Sequence, residues 1–219
     1  MIEPRTWTDA MNKLNQREYL VEVDENGREG RQFQRIVGGF AWPTHEPGFL
    51  VILGLDRHKS QAIGRSNIYV LAEHEDPSES NLLATMQQLS YPFYCRRWFS
   101  DPDHILARQY FQLWKVQGGK LAYFCDAPEV DDKDHFQLYT TVIRDLLRGE
   151  NKVLVLGETA AKIRERLLQM PAELKQETAK SFPAILALGY ALASLEIYRP
   201  TKRRATQAGY VPLDKVVGI

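Results

Sequence analysis

Between residues 33 and 74 the chain passes three times through strand-forming residues with only turn chemistry in between. "FQRIVGGFAW" and "GFLVILGLD" are rich in β-branched and aromatic residues, and "PTHEPG" joins them. The prolines and glycine of that joint forbid regular structure, so the two runs predict a hairpin. "HKSQAIGRS" reads as a second loop and "NIYVLAEH" as a third strand. Three consecutive strands with short connections predict an antiparallel meander, which limits the ways the rest of the chain can pack.

Before the meander, residues 6–20 read as a helix, with Thr6 or Thr8 as N-cap and Met11, Leu14 and Tyr19 on its apolar side. "DENGREG" is a turn by its Asn-Gly pair. After the meander, helical and strand patterns alternate. "PSESNLLATMQQLS" places Leu82, Leu83, Met86 and Leu89 on one helical face, entered at Pro77 or Ser78. "PFYCRRWFSD" is a fourth strand, "PDHILARQYFQLWKVQG" a helix and "KLAYFCD" a fifth strand. "DKDHFQLYTTVIRDLLRG" is a helix ending at Gly149, and "KVLVLG" is a short strand. "ETAAKIRERLLQM" and "FPAILALGYALASLEIY" are the last two helices. A meander followed by α-β-α-β-α is the element order of ribonuclease H-like folds, a mixed α/β sheet flanked by helices. In that order the first and fourth strands run side by side and parallel. Ligands then gather outside the carboxyl ends of the parallel strands, at Ala41-Trp42-Pro43 and Ser100-Asp101. The predicted organisation is an N-terminal helix and linker (1–30), one α/β domain (31–198) and a basic tail (199–219).

Composition narrows the function classes. The 28 basic and 28 acidic residues cancel, so a nucleic-acid role needs a local basic patch. Cys95 and Cys125 are the two cysteines, and both lie in strand-like runs. They read as buried thiols of a reducing cytoplasm. "MIEPRTWTDAMNKLNQ" has no apolar core of a signal peptide. "FPAILALGYALASL" falls short of the roughly 20 residues a membrane span requires. A soluble, cytoplasmic protein with no membrane partner is the expectation, and the last apolar run is a buried helix. There is no CxxC or HxxxH spacing for zinc, no GxxxxGK[ST] phosphate loop and no GxSxG elbow.

Four stretches together resemble the nuclease domain of phage large terminase subunits. "RIVGGFAWPTHEPGFLVILGLD" is similar to that family's first hairpin, and "RRWFSDPDHILARQYFQLW" to its fourth strand and following helix. "EVDDKDHFQLYTTVIRDLLRGENKVLV" looks like its Asp-Lys helix and next strand, and "FPAILALGYALASL" like its closing helix. The resemblance implies a ribonuclease H-like fold, DNA cleavage by divalent metal ions, and packaging subunits such as a motor or portal as partners. It also implies a set of acids, of which Asp101 alone falls in place. The family's first-strand aspartate is held by Trp42, or by Ala41 if the register slips by one. Its closing-helix acids are held by Phe182 and Pro183, and a later acid by Leu186 or its neighbours.

Two-metal hydrolysis needs ions roughly 3.5–4 Å apart, and magnesium takes hard oxygen ligands. An indole offers a donor and no lone pair. The expectation is therefore a metal-poor site in which Trp42 fills the vacated space and Ser181 and Pro183 rebuild the helix start. No cofactor is expected in that case. Mg²⁺ or Mn²⁺ is expected if Asp101 is joined by Asp126, Glu46 or an acid of the 131–134 cluster, such as Asp134. Glu73, His74, Glu75 and Asp76 read as a solvated loop ahead of a helix. Arg96 and Arg97, near the proposed site, and Lys202, Arg203 and Arg204 in the tail are the candidate nucleic-acid contacts.

Overall fold

The computed structural model describes residues 2–8, 16–23, 25–59, 66–101, 109, 123–126, 135–147, 153–171 and 176–195. Among them lie eight strands of one sheet: β1 (Ile2–Thr8), β2 (Gln16–Val23), β3 (Glu29–Ala41), β4 (Gly48–Lys59), β5 (Ser66–Asp76), β6 (Arg97–Ser100), β7 (Tyr123–Asp126) and β8 (Leu154–Val155). The helices are α1 (Glu79–Ser90), α2 (His135–Leu147), α3 (Ala161–Leu168), α4 (Gln176–Ala179) and α5 (Pro183–Ser194), with a 3-10 turn at Glu158–Ala160 before α3.

The meander forms as expected, with β3, β4 and β5 antiparallel in sequence. β6 lies parallel to β3, β7 parallel to β6, and β8 parallel to β5. The first and fourth strands of the predicted order are thus neighbours. Ser78 caps α1, its hydroxyl accepting the Asn81 amide at 3.4 Å.

The N-terminal helix is not formed over its expected span. Its two ends, Thr6–Thr8 and Gln16–Leu20, belong to β1 and β2, an antiparallel pair running from Ile2↔Glu22 to Thr8↔Gln16, and residues 9–15, with Met11 and Leu14, lie outside the described residues. β2 then joins the sheet through Leu20↔Phe33 and Val21↔Gln32. The physical reason is the long β3. Its first half extends beyond the meander and leaves an open edge, and "YLVEV" satisfies that edge while Leu20 and Val21 become fully buried. Tertiary pairing of this kind overrides a marginal helical pattern. The acidic run Glu73 to Asp76 is likewise the end of β5, paired with β4 from Val51↔Glu73 to Gly48↔Asp76, rather than a loop. The helix expected over 102–118 lies outside the described residues, Gln109 excepted.

Two apolar layers sandwich the sheet. On one face α1 packs with Leu82 and Met86 against Phe40, Trp42, Leu50, Ile52 and Trp98. On the other, α2, α3 and α5 cover Val37, Ala41, Val51 and Leu53. α5 is buried along ten consecutive residues, Pro183 to Leu192. A helix apolar on every side must be surrounded, and no described helix is long and apolar enough to cross a membrane.

α5 sits close to β3 because glycine leaves room. A Cβ at Gly39 would fall 1.8 Å from the Ala187 carbonyl oxygen, and one at Gly38 would fall 2.2 Å from the Trp98 ring. The first obstacle is helix backbone, which cannot step aside as a side chain can. Overpacking of cores costs about 1–3 kcal/mol, and Gly39→Ala is expected at or above the top of that range. Urea denaturation should report this loss, with Gly27→Ala, whose Cβ would meet nothing within 4 Å but whose φ is +74°, falling short of it.

Candidate functional site at the carboxyl ends of β3 and β6

The parallel rungs Gly38↔Trp98 and Gly39↔Phe99 fix the seam between β3 and β6. Carried two residues further, the register sets Ala41 beside Asp101. The faces follow from alternation. Gly38 points at Trp98 and Gly39 at α5, so Phe40 belongs to the α1 face and Ala41 to the α5 face, where both are found. Phe99 packs against the α5-side cluster, and alternation places Asp101, two residues on, towards that same side.

Trp42 is on the other face. Its ring lies 4.7 Å from that of Phe40, tilted by 58°, within the cluster of Leu82, Met86 and Trp98. The residue at the end of β3 that faces α5 is therefore Ala41, the position one register step away. Trp42 is 6% exposed and Ala41 4%, so burial alone does not distinguish them; only the face does.

The start of α5 reaches this pole. Thr44 in the hairpin turn donates its hydroxyl to the Lys180 carbonyl at 3.1 Å. From the Gly39 contact with Ala187, two strand residues advance about 6.6 Å, or about four helix residues at 1.5 Å each. Ala41 thus looks towards Pro183 and Ala184, both buried. Ser181 is not the cap. Phe182 holds that position without a side-chain capping bond, and its carbonyl accepts the amides of Ile185 and Leu186 at 3.0 and 3.1 Å. Pro183 opens the helix, where its missing N–H costs nothing. Phe182 is half-buried at the rim and Leu186 is in the core.

Asp126 pairs in register with Ser100, one residue short of Asp101. Asp134 lies outside the described residues, as do Asp131, Asp132, Lys202, Arg203 and Arg204. His45 and Glu46 are exposed in the hairpin turn. Among the described residues no three His, Cys, Asp or Glu converge as a metal site. Arg96 and Arg97 lie at the start of β6, about 13 Å along the strand from Asp101 at the usual rise, so they are not part of this pole. Cys95 is fully buried, and burial pushes its thiol pKa well above the ordinary value, which makes it inert.

A cleft of about 280 Å³ opens here between Glu46, Glu75, Arg166 and the Phe182–Pro183 turn. Its charges are already committed. Arg166 donates to Glu75 at 2.6 Å, with Lys162 3.6 Å from the same carboxylate. The hydrogen bond that Arg166 donates to Glu75 holds the Arg166 pKa above its usual value. Glu73 accepts the amides of Lys162 and Ile163 at 2.6 and 2.8 Å, a carboxylate across the first turn of α3. Asp76 accepts the Ser78 amide at 2.7 Å. Sequence reasoning missed this docking. Its trace was present: Glu73 and Glu75 alternate onto one strand side while Lys162 and Arg166 share a helical face.

No protein-family model matches the chain, and no curated protein matches it. Among solved structures, the large terminase nuclease domain of bacteriophage SPP1, solved with bound Mn, aligns over 78% of this chain and 92% of its own at 15% identity, TM-score 0.51. A large terminase from a thermophilic bacteriophage aligns over 76% of this chain and 41% of its own at 11% identity, TM-score 0.45. The large terminase nuclease of the thermophilic phage G20c, solved with bound zinc, aligns over 78% and 91% at 14% identity, TM-score 0.42. The chain has the ribonuclease H-like fold of the terminase nuclease domain.

The Glu73 clamp is separable from any chemistry. Glu73→Ala should lose both amide acceptors of α3 and cost about 1–2 kcal/mol, the range of a lost helix cap. Glu73→Gln should recover part of it. Chemical denaturation of the two variants beside the parent protein measures this.

Proposed function

We propose that this chain is a nuclease-fold protein that has given up two-metal hydrolysis and works by binding DNA or a packaging-type protein subunit. The reading rests on one feature of the described residues: the β3–β6 register, carried two residues on, sets Ala41 beside Asp101, and the start of α5 at the same end of the sheet is the buried Pro183 and Ala184. A pair of divalent ions requires several hard oxygen donors. Methyl groups and a pyrrolidine ring supply none, and Asp101 by itself makes a poor magnesium site. Among the described residues the side chains at this pole do not make a two-metal centre.

The apolar lining also has a positive role. Carboxylates crowded without a cation repel one another and are costly to desolvate. Ala41 and Pro183 instead extend the layer beneath α5, and the pole becomes packing. The second reading, a divergent Mg²⁺- or Mn²⁺-dependent endonuclease, would draw on Asp126, which stands on the strand next to Asp101, or on Asp134.

Supercoiled plasmid separates the two. Incubated with the protein and Mn²⁺, with or without chelator, it is expected to stay uncut and to be retarded on a gel in a way that weakens steeply with salt. Nicking that disappears with chelator and in Asp101→Ala would overturn the proposal in favour of the endonuclease.

A further inference from the structure

Arginines in the described part of the chain are almost all engaged. Arg31 pairs with Glu22 at 2.6 Å, Arg166 with Glu75, and Arg35 donates to the Leu195 carbonyl at the end of α5 at 3.2 Å. Arg28, Arg57, Arg144 and Arg164 are likewise engaged. Arg96 and Arg97 differ. Both are exposed, and neither side chain makes a hydrogen bond or ion pair among the described residues.

Their position has a structural cause. β4 occupies one edge of β3 from Phe33 to Ala41. On the opposite edge β2 pairs as far as Leu20↔Phe33, and β6 begins at Gly38↔Trp98. Residues 34–37 lie in the interval between these two partners. A cleft of about 240 Å³ opens at this fork, lined by Gln34, Arg35, Tyr94, Arg96 and Arg97. The segment leading into β6 is held in an unusual conformation. Tyr94 has φ +51°, the left-handed region, at a cost of about 1 kcal/mol for a residue with a Cβ. Such outliers concentrate where a shape is needed. After Tyr94, the Cys95 amide returns to the Ser90 carbonyl at 2.9 Å, and the two arginines emerge at the cleft.

We infer that this fork is a phosphate-binding notch for a nucleic-acid backbone, with Arg96 and Arg97 as its anchors. Guanidinium forks match phosphate oxygens two at a time, and both they and the Tyr94 ring offer planes on which bases stack. The cations lie apart from the carboxyl-end pole, where Arg166 and Lys162 are taken up by Glu75. The chain therefore engages nucleic acid at the amino end of β6 and not at the pole where Asp101 stands. The inference rests on the DNA-binding form of the proposed function and gives it a place.

Fluorescence anisotropy with a labelled 30-base-pair duplex, titrated with the full chain at several salt concentrations, tests it. Arg96→Ala/Arg97→Ala is expected to weaken binding roughly tenfold or more at low salt. It should also reduce the slope of log K against log salt by about 2, since each lost phosphate contact contributes about 0.9. The melting temperature should stay unchanged, because both side chains are exposed. A double variant that binds as tightly as the parent overturns the notch and leaves DNA binding to the tail. A parent chain that does not bind the duplex overturns both the notch and the DNA-binding reading. Poly-glutamate that displaces the duplex at lower concentration than unlabelled DNA overturns the nucleic-acid assignment in favour of an acidic protein.

Discussion

The contact between Gly39 and the Ala187 carbonyl decides how the rest of this molecule is arranged. It lets a helix buried along ten residues lie directly on the central strand. It also fixes which residues of β3 face which layer. With Gly39 turned towards α5, Val37 and Ala41 must face α5 as well, while Gly38 and Phe40 face α1. The same glycine sets the position of the helix along the strand and so brings Pro183 and Ala184, rather than some later turn, to the end of β3. A single close approach thereby determines the composition of the pole around Asp101.

That composition is what the proposed reading builds on, a nuclease fold that holds together by packing at this pole. In a two-metal site the ions balance the mutual repulsion of the carboxylates. A site without ions makes each buried acid a liability, whereas a small apolar residue at such a position joins the neighbouring core. Ala41 extends the layer of Val37 and Val51, and Pro183 and Ala184 close its end. Three acids near this pole have structural partners: Glu73 holds the first turn of α3, Glu75 holds Arg166, and Asp76 turns the chain into α1. Among the described residues, much of the charge near this pole serves helix docking.

The sequence made the meander, the parallel seam and the buried closing helix legible, because each rests on a local pattern. Prolines and glycine bracket the strands, and ten apolar residues in a row leave a helix no solvent face. It did not make parity legible. Trp42 and Ala41 are adjacent and equally buried, and only the face of Gly39 distinguishes them. Nor did it reveal β1 and β2, since "REYLVEV" becomes strand only because β3 outruns the meander and leaves an edge to be covered. The role of Glu73 was hidden for the same reason: its partners are amides almost 90 residues away in sequence.

Net charge conceals the last feature. Equal numbers of acids and bases suggest a surface without preference, yet pairing is not evenly distributed over the described fold. Where helices dock on the sheet, guanidinium and carboxylate neutralise each other at hydrogen-bond distance, as in Arg166 with Glu75, and the pair Arg31 with Glu22 does the same between strands. Such pairs have little field left beyond a Debye length. Arg96 and Arg97 have no internal counter-charge among the described residues, so their field extends into solvent from the place where β2 and β6 diverge. A neutral chain gains a directional electrostatic surface in this way, through local pairing and not through composition. The fork that leaves room for the arginines exists only because two strands share one edge of β3, so the long strand that covers the N-terminal segment also creates the surface that is left open.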